Sequence, residues 1–95
     1  MNGIDNVIDF KEIKKTREIV EIVGETFLIV KINMRSGFSY VEIERAGKRE
    51  EYKVRGRVLL KQLELMESYV KNGLKVRVTL MKRTSRNGQE YYLFV

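Results

Sequence analysis

Apolar positions along this chain switch from a strand period to a helix period and back. Val41 and Ile43 form one face of the run Phe38 to Arg45, and Tyr52 and Val54 one face of Glu50 to Arg55. Leu59, Leu63, Met66 and Val70 then fall at i, i+4, i+7 and i+11, which predicts a helix from Arg57 to Lys71 widened by Leu60 and Tyr69. After it, Leu74, Val76, Val78 and Leu80 alternate with Lys75, Arg77, Thr79 and Met81, a strand with one buried face. Gln89 to Val95 is a last strand.

Arg17 to Arg35 is a longer β-rich run in which the alternation changes phase at Gly24. A glycine there predicts a bulge or bend, letting one strand serve two sides of a small barrel. Arg35-Ser36-Gly37 and Ala46-Gly47-Lys48-Arg49 supply turns, Gly56 ends the third strand, and Asn72-Gly73 stops the helix. Asn87-Gly88 predicts a two-residue hairpin turn. The predicted order is strand, strand, strand, helix, strand, strand. Closing those strands into a barrel hides their edges. Residues 1 to 16 stand apart as an arm or a short helix.

Facing follows from alternation. The first strand should send Leu28, Val30 and Ile32 inward, and Phe27, Ile29, Lys31, Asn33 and Arg35 outward. Phe38 and Tyr40 oppose Val41 and Ile43 and should point out, as should Lys53 and Arg55. With a two-residue turn, Thr84 faces Tyr91, Arg83 faces Tyr92 and Leu80 faces Val95. Leu93 and Val95 would then be inner, and Met81, Arg83, Tyr92 and Phe94 outer. A change of one residue in the loop would invert that set.

Ninety-five residues make one domain with one modest core. Cysteine and histidine are both absent. Disulfides, thiol chemistry, Ser-His pairs and most transition-metal sites therefore have no residues to build them. No apolar run approaches the ~18 residues of a membrane span, and the N-terminus lacks the basic-then-apolar order of a signal peptide. A cytoplasmic protein without membrane partners is expected. Charged residues make up 34% of the chain with no proline or tryptophan, an ion-rich composition similar to that of thermophilic proteins.

The net charge of +6 favours an anionic partner, and its distribution sharpens the point. Thr26 to Val41 and Ser68 to Gln89 contain no acid at all. The first window carries Lys31, Arg35, Phe38 and Tyr40. The second carries Lys71, Lys75, Arg77, Lys82, Arg83 and Arg86, and leads into Tyr91 and Tyr92. Cations for phosphates beside flat rings for bases are what a single nucleic-acid strand needs.

The element order, Gly24 and the segment Lys82-Arg83-Thr84-Ser85-Arg86-Asn87-Gly88-Gln89-Glu90-Tyr91-Tyr92 resemble OB-fold single-stranded nucleic-acid-binding domains. That class includes bacterial single-strand-binding proteins and replication protein A modules. The resemblance spans Arg17 to Val95. It implies an all-β domain with one helix, a five-stranded Greek-key barrel. Its ligand face would come from the first three strands, flanked by the first-to-second and fourth-to-fifth loops. By that resemblance Lys31, Asn33, Arg35, Phe38, Tyr40, Lys53 and Arg55 would line a cleft, with Lys82, Arg83, Arg86 and Tyr92 at its sides. The ligand would be single-stranded DNA, or RNA, bound with little sequence preference in replication or repair, without cofactor or catalysis.

Plainer readings stand beside this one. Phe38 and Tyr40 could cover a barrel end, and Tyr52 and Tyr91 read as core or rim. Glu42 and Glu44 share a strand face but sit among cations, so surface ion pairing accounts for them without general acid–base chemistry. Lys11, Lys14, Lys15 and Arg17, diluted by Glu12 and Glu18, read as a solvated arm. An outward Phe27, Ile29, Met81 and Phe94 would instead suit a protein partner, a homo-oligomer or a subunit of a larger assembly.

Overall fold

The computed structural model describes residues 16–95. The expected arm, 1 to 16, lies outside the described residues except for Thr16. A two-residue strand β1 (Arg17–Glu18) leads into a 3-10 turn (Ile19–Ile22), then β2 (Thr26–Met34), β3 (Ser39–Arg45), β4 (Lys48–Val54), helix α1 (Arg57–Lys71), β5 (Val76–Thr84) and β6 (Glu90–Phe94). Six strands form one sheet in the order β1-β4-β3-β2-β5-β6. The order along the chain is thus β-β-β-β-α-β-β. The expected five strands are all present, but Arg17 to Arg35 is not one bent strand. Ile19 and Ile22 both need burial, and a tight turn puts both inside, at 1% and 5% exposure, before Gly24 redirects the chain.

The sheet curls into a half-barrel rather than a closed barrel. β1 occupies the outer edge of β4, in parallel, with Arg17 beside Tyr52. β6 is the other edge. Helix α1 covers the inner face, packing on β2, β5 and β6. Its Gln62 does part of the work of a missing strand. The amide Nε2 donates to the Phe94 carbonyl at 2.8 Å, and the Phe94 N–H donates to Oε1 at 2.8 Å. An edge backbone group is thereby satisfied by a helix side chain.

The core is one cluster: Ile29, Val41, Ile43, Tyr52, Val54, Leu59, Leu63 and Leu80 are essentially inaccessible, and Phe27 meets Phe94 edge-on at 6.4 Å. The helix ends as its sequence requires. Gly73 takes φ +84°, so its N–H reaches Val70 O and the Leu74 N–H reaches Tyr69 O, both at 3.0 Å. The β3–β4 turn is tight, with Ala46 and Gly47 both at positive φ (52° and 76°), a pair that matches strand twist.

Two expected phases are corrected. In β2, Phe27 and Ile29 are buried (3% and 0%), while Leu28 is half-exposed. The register of β2 on β3 slips between Ile29 and Lys31, so Val30 is an extra, bulged residue. Beyond it the expected facing holds: Lys31 and Asn33 are exposed, and Ile32 and Met34 pack on the core. Alternation alone could not locate the phase change, because the run Phe27 to Ile32 has five apolar residues that fit either face.

The β5–β6 hairpin pairs Leu80 with Phe94, Lys82 with Tyr92 and Thr84 with Glu90, one residue away from the expected register. Ser85 closes the loop instead of Arg86. Its N–H donates to Gln89 O at 2.7 Å, and its Oγ accepts the Gln89 N–H. The loop therefore holds Arg86, Asn87 and Gly88. That extra residue turns Phe94 inward and makes Leu93, not Phe94, the companion of Met81. Leu74, expected in the buried strand face, precedes β5 and is 55% exposed; Tyr69, expected to widen the helix stripe, is 57% exposed. Among the described residues, no helix is long and apolar enough to cross a membrane.

Candidate nucleic-acid interface

Cross-strand register gathers one group of side chains on the outer face of β2, β3 and β4. Asn33 pairs with Tyr40, and Tyr40 with Lys53; Lys31 pairs with Glu42, and Glu42 with Glu51. Arg35 and Phe38 close the β2–β3 turn, with the Arg35 N–H donating to Phe38 O at 2.8 Å. The rings of Phe38 and Tyr40 meet edge-to-face, 5.4 Å apart at 84°. Lys53 Nζ lies 4.4 Å from the centre of the Phe38 ring. Both rings are half-exposed, so neither belongs to the core. Five expected residues thus share one surface, Lys31, Asn33, Phe38, Tyr40 and Lys53, and Arg35 and Arg55 follow just past the ends of β2 and β4.

Their charges are not equally free. Lys31 approaches Glu42 at 3.6 Å, and Arg55 contacts Glu18 at 3.3 Å. Arg35 and Lys53 have no carboxylate partner among the described residues. Exposed pairs of this kind are worth ~0–1 kcal/mol, so a phosphate could displace either acid.

The remaining four expected residues divide. Lys82 bonds Glu90 at 3.1 Å, and that carboxylate raises the lysine's pKa. Tyr92 is half-buried against the core on the side of Leu80 and Phe94. Arg83 and Arg86 are exposed and lack a carboxylate partner among the described residues. β5 pairs with β2 over Thr26 to Ile29, and its hairpin runs on past Thr26. The Arg86 loop and the Arg35 turn therefore lie at opposite ends of β2.

A cleft of about 310 Å³ sits at the open seam of the half-barrel, between Arg55–Leu59 and Glu90–Tyr92. It brings Arg55 and Tyr92 together and adds Tyr91, expected at the core or rim, and Arg57, which the sequence did not single out. Their only signal was proximity to other cations and rings.

A second concentration of charge lies on the inner side of the β3–β4 hairpin. Arg45 donates to Glu25 at 2.7 Å, to Glu50 at 3.0 Å and to the Tyr52 hydroxyl at 3.3 Å. Arg17 donates to Glu50 at 2.6 Å, and its guanidinium lies 5.0 Å from the Tyr52 ring centre. Burial pushes the Glu50 carboxyl up, but hydrogen bonds from Arg17 and Arg45 outweigh it and hold its pKa below the ordinary value. Burial raises the Tyr52 phenol. This network fastens β1 to β4. On the outer side, Glu44 is bonded by Lys75 at 3.0 Å and by Arg49 at 3.2 Å, and those bonds lower its pKa. Glu42 and Glu44 are ion-paired, as expected.

Phe27, Ile29 and Phe94 are in the core, so of the outward apolar set expected for a protein partner only Met81 stays outside it. The exposed large apolar side chains are others, chiefly Leu65, Tyr69 and Leu74. No protein-family model, curated protein or solved structure matches this chain.

Proposed function

We propose that the protein is an OB-like binding module for single-stranded nucleic acid, DNA or RNA, and not an enzyme. The strand order β4-β3-β2-β5-β6, with the helix between β4 and β5, is compatible with an OB-like fold left open at the β4–β6 seam. The observation that carries the reading is the Phe38–Tyr40 pair on the outer face, with Lys53 over one ring and the Arg35 backbone closing the turn onto Phe38.

Two half-exposed rings at right angles cannot both stack in one plane of bases. One ring offers its face to a base while the other supports it from the edge. Lys53, Arg35 and Asn33 stand where the sugar–phosphate backbone would pass, and Lys31 and Arg55 can exchange their carboxylates for phosphates. From Arg55 the path leads into the seam cleft, where Tyr91 and Tyr92 offer further ring surface. Stacking accepts every base, so sequence preference is weak. Arg83 and Arg86 extend the positive field and contribute to encounter.

The test is a fluorescence-anisotropy titration of a labelled oligothymidine at low salt, repeated with single-stranded RNA and duplex DNA. Saturable single-strand binding that weakens steeply with salt is expected. No anisotropy change up to high micromolar protein would end the proposal.

A further inference from the structure

β5 is longer than the strand that pairs with it on one side. β6 ends at Phe94, opposite Leu80, and the last bonds on that side join Thr79 and Val95, N–H to C=O in both directions at 2.9 and 2.8 Å. Leu80 bonds the other way, to Gly24 and Glu25. Backbone groups alternate sides along an antiparallel strand, so the N–H and C=O of Arg77 point the same way as those of Thr79. No described strand lies there. Arg77 therefore carries a donor and an acceptor on a local sheet edge, without a partner among the described residues.

That edge opens onto a groove of about 540 Å³ between β5 and α1, with Leu65, Met66, Tyr69, Leu74 and Val76 along it. Leu65 and Tyr69 are 76% and 57% exposed, and the core makes no use of them. A peptide strand hydrogen-bonded to Arg77 fills this groove in one way. Arg77 is on the exposed face of β5, and Val76 and Val78 are turned inward. The peptide residue opposite Arg77 would share the exposed face with the guanidinium, and its two neighbours would turn inward, toward Leu65 and Tyr69. Arg77 has no carboxylate partner among the described residues, whereas Lys75 is already held by Glu44 at 3.0 Å. The unmet charge at the groove is thus one guanidinium, which suits one acid flanked by apolar residues. A second copy pairing through the same edge would set its own Arg77 or Lys75 against Arg77, and like charges directly opposite destabilise a strand pair.

We infer that the β5 edge binds an extended peptide of another protein, of the pattern apolar–acid–apolar, added as an antiparallel strand between β5 and α1 along the line of β6. The probe is acetyl-Thr-Val-Asp-Leu-Thr-amide, titrated into the isotope-labelled full chain and followed through backbone amide NMR signals. Signals of Arg77, Leu65 and Tyr69 should shift saturably. Lysine in place of the peptide's aspartate should weaken binding by about ten-fold or more, and Arg77→Glu, at an exposed position, should reverse the preference between the two peptides. Methylating the aspartate nitrogen removes the N–H that would donate to Arg77 and should weaken binding as well. The two altered peptides leave the protein unchanged, so they decide the matter even if the variant does not fold. No saturable shift at millimolar peptide would overturn the inference, as would equal affinity for the aspartate and lysine peptides. The same shifts on raising protein concentration without peptide would assign the edge to a second copy and overturn it too.

Discussion

Two cation–ring pairs, Lys53 over Phe38 and Arg17 over Tyr52, use the same attraction for different ends. Arg17 is also bonded to Glu50, and Tyr52 is wholly buried with its hydroxyl bonded to Arg45. Every group in that cluster is committed to another, so it holds β1 against β4 and has little left for a ligand. Lys53 has no carboxylate among the described residues, and Phe38 keeps much of its surface. A cation next to an aromatic ring does not by itself mark a binding site. What separates the two clusters is whether a carboxylate is bonded to the cation: Glu50 holds Arg17 and Arg45, while Glu42 and Glu51 share the outer face with Lys53 without pairing with it.

The comparison breaks most visibly at the tyrosines. Tyr52→Ala should destabilise the domain by about 3–5 kcal/mol, as large-to-small core changes do, and the lost hydrogen bond to Arg45 adds to that. Chemical denaturation measures it. Tyr40→Ala should leave the unfolding midpoint close to the parent's and instead weaken oligothymidine binding by about 1–3 kcal/mol, roughly 5- to 150-fold. If the two variants exchanged these effects, the division between structural and binding clusters would fail.

Arginines give a smaller, separate readout. Arg35→Ala should reduce the slope of log affinity against log salt by about 0.7–1 if it meets a phosphate, and Arg86→Ala should do the same more weakly or not at all. Arg45→Ala should leave the slope unchanged and lower stability. An unchanged slope for Arg35→Ala would remove it from the interface.

Acid titration probes the committed cluster most gently. Glu50 and Glu44 have folded-state pKa values below the ordinary 4.5, so the unfolded chain binds protons more readily. Their stabilisation is complete above that value and is lost as pH falls through the depressed folded values. The melting temperature should therefore fall on acidification below about pH 4.5, and Glu50→Gln should make that fall shallower. An identical pH profile for the variant would show that the arginine bonds to Glu50 contribute nothing.

Much of the fold was legible in local pattern. The helix spans Arg57–Lys71 as its stripe predicts, because burying Leu59, Leu63, Met66 and Val70 requires that period and Asn72-Gly73 supplies a Schellman stop. The core positions Val41, Ile43, Tyr52 and Val54 followed from two-residue alternation. The aromatic–cation face was also legible, since Phe38, Tyr40 and Lys53 alternate against those core residues and hairpin pairing sets them side by side.

Composition and short-range order therefore determined the elements, the charge excess and the make-up of the outer face. Tertiary structure decided what a one-residue shift controls: the bulge at Val30 that buries Phe27 and Ile29, and the Ser85 closure that turns Phe94 inward. It also decided which cations are neutralised. Glu18, Glu42, Glu44 and Glu50 meet their arginines and lysines across distant segments, and such pairings depend on strand neighbours rather than on local sequence. The open seam has the same origin, because Gln62 and β1 occupy the two sheet edges that a closed barrel would join.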